Sequence, residues 1–374
     1  MIYLHIPFCK QKCSYCNFHF STSLNLKDEM LYAIKKEIFL RKNELENKTL
    51  KSLYFGGGTP SILDVDDIKK LMDDIQKYFD FDDEIEITLE ANPDDLTKNF
   101  LSQLSQTAVN RLSIGVQSFC DEDLKMMNRA HNASQSETSV KCSQDFGFQN
   151  ISIDLIYGSP ISDFKIWTKN LDKTIELQVP HISSYALTIE PKTALENWIT
   201  KGKIPPPKED EQSKEFYYMS DFLEKNGFLH YEISNFGKPN FHSRHNSNYW
   251  KHREYLGIGP SAHSFDGHKE RSWNISNNSL YIKNLKQNIL PKETEKLSEN
   301  QRFNEFLMLG LRTVWGVDLS ELNKKFSEPI VEKFNKNIRQ KISDGVLIIE
   351  NNHLKISEKH WFFADGIAAD LFVV

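Results

Sequence analysis

Cysteine is scarce in this chain, with five residues in 374, and three of the five crowd into Cys9–Cys16. A set so sparse and lopsided excludes the disulfide scaffold of a small secreted domain, which needs an even, spread complement. It reads instead as a reducing cytoplasm and a cysteine-bound metal. Long apolar runs are missing as well. None approaches the roughly 18 residues of a membrane span. The first residues, Met1–Ile6, look like a buried strand rather than the apolar stretch of a signal peptide. Positive charge is not in excess: the formal net charge is −6, so there is no electrostatic footprint for duplex nucleic acid. Internal repeats and low-complexity tracts are absent too. Together these point to a cytoplasmic protein without a nucleic-acid partner.

What is present suits a large soluble fold. Hydrophobic residues make up 39% and charged residues 26%, enough to bury a full core. Strand-like and helix-like patterns alternate. Residues 1–6, 51–55, 84–91, 111–116, 151–157 and 182–187 read as strands, and 28–41 as a helix with Leu31, Ile34 and Ile38 on one face. Ile68, Leu71, Met72, Ile75 and Phe79 carry helical spacing. Such βα alternation predicts a mainly parallel sheet wrapped by helices, with functional residues at the strands' C-terminal ends. After a helix expected over 213–224, residues 237–275 are rich in Gly, Asn, Ser and His and read as loops. A helix around Phe303, Phe306, Leu307 and Gly310, then two strands flanking Asn351-Asn352, suggest a winged-helix-like appendage. The expected domains are 1–230, a connecting segment 231–290, and 291–374.

The chemistry starts at Cys9, Cys13 and Cys16, a CxxxCxxC run directly after the first strand. Three thiolates on one tight loop can cap three irons of a cubane 4Fe–4S cluster and leave the fourth iron open to a ligand. The alternative is zinc, which wants four ligands, with His5 or His19 as the fourth. Cys120 and Cys142 have no such company and read as packing residues.

This loop, with an aromatic before its third cysteine, resembles the radical SAM superfamily. Tyr3-Leu4-His5-Ile6-Pro7-Phe8-Cys9 is similar to the opening of the oxygen-independent coproporphyrinogen III oxidase family, and the likeness runs over nearly the whole chain. The resemblance implies an α/β fold: an incomplete (β/α) barrel of radical SAM type with a C-terminal winged-helix-like α+β domain. It implies a 4Fe–4S cluster and S-adenosyl-L-methionine (SAM). Gly57, Gly58 and Thr59 would meet the SAM ammonium group, with Glu90 accepting from it. Arg129 would pair with the carboxylate, Gln117 would face SAM, and Asp154 would accept from ribose hydroxyls. Tyr3 and Tyr15 complete the expected SAM set.

Three departures from the oxidases point to the family's heme-chaperone branch. The oxidase loop carries a further cysteine where this chain has Phe18. The oxidases have an N-terminal extension, whereas this chain begins at the strand. Residues His245-Asn246-Ser247-Asn248-Tyr249-Trp250 match the HNxxY motif of the chaperones, with their usual tryptophan. Asn17 stands where aspartate is common. The resemblance therefore implies heme as a third bound group, with His245 as axial ligand and Tyr249 beside it. The expected function is heme binding and delivery, without catalytic residues and with oxidase activity lost. The expected partners are heme-accepting hemoproteins, membrane respiratory proteins among them, and a homodimer is left open. The alternatives are radical decarboxylation of a porphyrinogen and, in another class, DNA binding through the winged helix, against which the acidic charge argues.

Overall fold

The computed structural model describes residues 1–373; Val374, the last residue of the expected C-terminal domain, lies outside them. Six parallel strands run in sequence order: β1 (Ile2–Ile6), β2 (Thr49–Gly57), β3 (Asp80–Ala91), β4 (Arg111–Gln117), β5 (Asn150–Tyr157) and β6 (His181–Ala186). Helices cover them between strands, including Lys27–Arg41, Val65–Gln76, Ala133–Asp145 and Phe164–Glu176. Every residue of β4 is buried, as expected of a central parallel strand covered on both faces. The helices start on recognisable caps: Asn132 and Gln135 form a reciprocal capping box, and the Asp163 carboxylate accepts from two backbone N–H groups.

Because each strand lies beside its predecessor, every crossover steps the same way and the sheet curls toward a barrel. It does not close. β6 is followed by the antiparallel β8 (Asn235–Gly237) and β7 (Leu229–Glu232), which form one edge. The other edge is β9 (Leu256–Ile258), parallel to β1, with Ile2 opposite Leu256. The result is an incomplete (β/α) barrel, as expected.

The region expected to be loops is corrected here. Residues 237–275 hold a helix at Arg244–Trp250, the edge strand β9, and two strands, β10 (His263–Phe265) and β11 (Glu270–Asn274). With β12 (Lys292–Lys296) the last two form a three-stranded antiparallel sheet. The C-terminal part packs helices Glu299–Leu311 and Glu328–Ser343 beside β13 (Val317–Asp318), β14 (Leu347–Glu350) and β15 (His353–Ile356). Asn351 and Asn352 both take positive φ, 49° and 64°, the tight turn that their side chains tolerate. No helix among the described residues is long and apolar enough to cross a membrane.

Candidate functional site

The cysteine loop follows β1 at the C-terminal rim of the sheet. It has no helix or strand of its own between Cys9 and Cys16 and is gripped from outside. Ser14 donates its N–H to the Met127 carbonyl and its hydroxyl to the Met126 carbonyl, at 3.0 and 2.8 Å. Asn128, at φ 54°, exchanges side-chain bonds with Gln11 and the Lys12 carbonyl. Two donors reach the sulfurs directly: Thr59 Oγ1 lies 3.4 Å from Cys9 Sγ, and Arg129 Nη1 lies 3.3 Å from Cys13 Sγ. Burial pushes the Cys9 thiol up to about 12 and raises the Cys16 thiol too, so a metal would displace bound protons.

The donor set fits a cluster. Among the described residues no three His, Cys, Asp or Glu side chains converge as the ligands of one ion would. A cubane does not ask for that convergence, because each thiolate takes a separate iron. His5 is engaged elsewhere: its ring nitrogens meet Tyr3 Oη at 3.2 Å and the His19 carbonyl at 2.9 Å.

Of the expected SAM residues, Gly57, Gly58, Thr59, Glu90 and Gln117 lie at or just after the C-terminal ends of their strands, whereas Tyr3 and Asp154 sit further back along β1 and β5. Arg129 Nη2 donates to Asn92 Oδ1 at 2.7 Å and to the Gly115 carbonyl at 2.8 Å, while its buried Nε has no partner. That orphan donor is what a ligand carboxylate would satisfy. At Gly57 φ is +108°, and a Cβ there would meet the His5 ring at 2.7 Å; one at Gly58 would lie 2.5 Å from the Phe8 carbonyl oxygen. The glycines therefore let β2 pass close under the cysteine loop. Gly58 N–H donates to Ile6 and Thr59 N–H to Phe8, so what this segment can offer a ligand is carbonyl oxygens, the acceptors that an ammonium needs.

Glu90 accepts from Tyr54 Oη at 2.8 Å. Burial raises its carboxyl to about 7, against the bond from Tyr54. Asp154 is raised to about 6, again by burial, against bonds from Ser183 and Ser113. Gln117 ends β4 with φ 66°, where the pairing to β5 slips at an irregularity. A non-glycine residue held there stores roughly 1–3 kcal/mol, a cost that clusters at functional sites. Tyr15 packs against the small apolar group of Met127, Ile156, Leu187 and Leu195. Tyr3 stacks on Tyr54, ring centroids 6.1 Å apart.

The chaperone motif sits differently from its expectation. His245 lies on the helix Arg244–Trp250 and is only 1% exposed. Its Nδ1 meets Ser52 Oγ at 2.9 Å and its Nε2 meets Tyr249 Oη at 3.0 Å, and its ring stacks on Tyr54 at 4.9 Å. Burial lowers its pKa to about 3. Tyr249 does reach open space. It borders a cavity of about 660 Å³ that also touches Tyr3, Phe18, Phe20, Gly57 and His263. Trp250 turns away, under the Arg312 guanidinium at 5.2 Å. Tyr54 and Asn92 were missed by the sequence reading. Tyr54 follows a strand's ordinary alternation, and Asn92 stands out only by its position directly after β3.

Comparison with known proteins fits this arrangement. Residues 3–167 match the radical SAM superfamily, and residues 297–363 match the HemN C-terminal domain. The heme chaperone HemW of Lactococcus lactis is 33% identical over 98% of this chain and 95% of its own length. That of Bacillus subtilis is 32% identical over 92% of each. The solved structure of coproporphyrinogen III oxidase (HemN) from Escherichia coli shares the fold, with a TM-score of 0.85 at 22% identity, over 100% of this chain and 89% of that one. The superfamily match carries with it a 4Fe–4S cluster and SAM, and the near full-length likeness to curated relatives places this chain in the heme chaperone HemW family.

Proposed function

We propose that this chain captures heme and passes it to acceptor hemoproteins. The observation that carries the reading is the cavity of about 660 Å³ beside the cysteine loop, walled by the aromatic rings of Phe18, Phe20, Tyr249 and Tyr255. Flat apolar walls with a few polar groups suit a planar macrocycle. The likeness to heme chaperones agrees with this.

Within the proposal, Cys9, Cys13 and Cys16 hold the cluster. When bound, it supplies an iron with an open position for the amino and carboxylate groups of SAM. Arg129 orients the carboxylate through its free Nε while its Nη1 steadies Cys13. Glu90 gives up its proton to receive the ammonium, and Asp154 accepts from the ribose. His245 acts through Tyr249, fixing the phenol at the cavity wall. Phe18 is 68% exposed at the position where the oxidases carry a further cysteine, so it adds a hydrophobic rim rather than a thiol. Acceptors at the respiratory membrane and action in the cytoplasm are the finer form of the reading.

The test is a ferric heme titration of the anaerobically reconstituted chain, then transfer to an apo-hemoprotein, run beside a coproporphyrinogen turnover assay. Stoichiometric heme binding and transfer without turnover is expected. Multiple turnovers of coproporphyrinogen would replace the chaperone reading with the oxidase one.

A further inference from the structure

We propose that the iron of the bound heme is ligated by His263 of β10, not by His245. The inference rests on the heme-binding reading above and names the ligand within it. The cavity of about 660 Å³ falls inside the roughly 300–1,000 Å³ typical of small-molecule sites. It is not simply the SAM line: Glu90, Gln117, Arg129 and Asp154 do not border it, and only Tyr3 and Gly57 are shared.

An axial ligand needs a ring nitrogen lone pair facing open space. His245 has none to give. Both its nitrogens are in hydrogen bonds, it is buried, and Tyr249 rather than His245 borders the cavity. Freeing it would leave the buried Ser52 hydroxyl unpaired and release the Tyr249 phenol.

Three other histidines do border the cavity: His5, His19 and His263. His5 is spent on Tyr3 and the His19 carbonyl. His19 has its Nε2 on Asn278 Oδ1 at 2.7 Å. Only its Nδ1 is left, the nitrogen beside Cβ, which crowds a flat macrocycle. His263 alone among the three has neither ring nitrogen in a hydrogen bond among the described residues, so its outer nitrogen Nε2 is available. Its side chain is exposed, in the wall of the cavity.

The residue is also well held. Its ring stacks on Trp273 of β11, centroids 6.0 Å apart and planes 30° from parallel, and the two residues face each other in the β10–β11 register. Its backbone lies against Gly257 of β9, where an added Cβ would fall 1.9 Å from the His263 carbonyl oxygen. A donor fixed on a strand with its ring plane set by a neighbour is a preorganised ligand.

The experiment is a titration of the reconstituted full chain and its variants with ferric heme, followed by absorption and electron paramagnetic resonance. The natural chain should give an imidazole-ligated Soret band. His263→Gly should shift that band and weaken binding by at least about tenfold, since losing even an outer partner of a metal ligand costs about 10–100-fold. Added free imidazole should restore the band in His263→Gly, which a merely structural defect would not allow. His245→Ala should weaken binding through Tyr249 yet leave the band in place. An unchanged spectrum in His263→Gly, or loss of the ligated band in His245→Ala alone, overturns the assignment while leaving heme binding standing. Absence of heme binding in the natural chain overturns the functional reading and this inference together.

Discussion

The cysteine loop and the helix Arg244–Trp250 both touch the β2 segment, the loop through Thr59 and the helix through Ser52, and handle their polar atoms in opposite ways. The loop has no regular structure between Cys9 and Cys16, and its backbone and flanking side chains are tied to Met126–Asn128. Its sulfurs take light contacts, among them those from Thr59 and Arg129. The helix is regular and turns its chemistry inward, so that both nitrogens of His245 are consumed by Ser52 and Tyr249. A segment meant to hold a ligand leaves donor atoms free and takes its rigidity from elsewhere. A segment meant to shape a wall spends them.

The largest test of that contrast is at the sulfurs. Cys9→Ser should drop reconstituted iron from about four per chain to near none, with far-ultraviolet circular dichroism unchanged, because the loop is held by other bonds. Loss of the folded signal would mean that the thiol is part of the scaffold. At His245 the balance should reverse. His245→Ala leaves the buried Ser52 hydroxyl without its partner, removes the bond to Tyr249 and empties the space of the ring, and should cost about 2–3 kcal/mol in chemical denaturation. Iron content should stay the same; iron loss in this variant would show that the two regions are not separable.

Arg129 bridges the contrast, since it touches a cysteine yet keeps one nitrogen free. Arg129→Ala should weaken SAM binding about 10–100-fold, the worth of a charge-assisted pair of roughly 1.5–3 kcal/mol, as read by calorimetry. Unchanged affinity would remove Arg129 from the SAM site. The smallest effect is a pH slope. Burial holds the Glu90 carboxyl near 7, above its unfolded value, so in the empty site its charge is disfavoured. Its cost to stability is absent well below the unfolded value, grows as pH rises toward 7, and is then constant. SAM needs the ionised carboxylate, so its affinity should rise about fivefold between pH 6 and pH 7, gain about twofold more above pH 7, and then level off. Glu90→Gln should bind more weakly and flatten that rise. A slope that survives in Glu90→Gln would point to Asp154, raised to about 6, as the group responsible.

The parts of the fold that could be read beforehand are those whose signal is local. β4 and β5 are apolar runs between turn residues, and Asn351-Asn352 announces its hairpin. The helix Val65–Gln76 carries its period plainly. β9 could not be read, because Leu256-Gly257-Ile258 is too short to show any period and exists only through its partner Ile2–Leu4 at the far end of the chain. The Arg244–Trp250 helix is short and polar enough to pass for a loop. The cysteines stand out by their spacing, but spacing leaves a cluster and zinc both open until the family resemblance is added. The strain at Gln117, the hold of Asn92 on Arg129 and the pairing of Tyr54 with Glu90 were not legible, since each depends on the meeting of separate strands.

The pairing of β9 with β1 also sets an order in time. Ile2 leaves the ribosome early, but its outer neighbour Leu256 follows about 250 residues later, roughly 12–50 s at typical rates of synthesis. Through that interval the strand before the cysteine loop lacks its outer neighbour, although β2 and Thr59, its partners on the inner side, have already been made. The wall that carries His263 arrives only after β9 has docked. During synthesis the residues that surround the cysteines, up to Arg129, therefore leave the ribosome well before the cavity wall that carries His263.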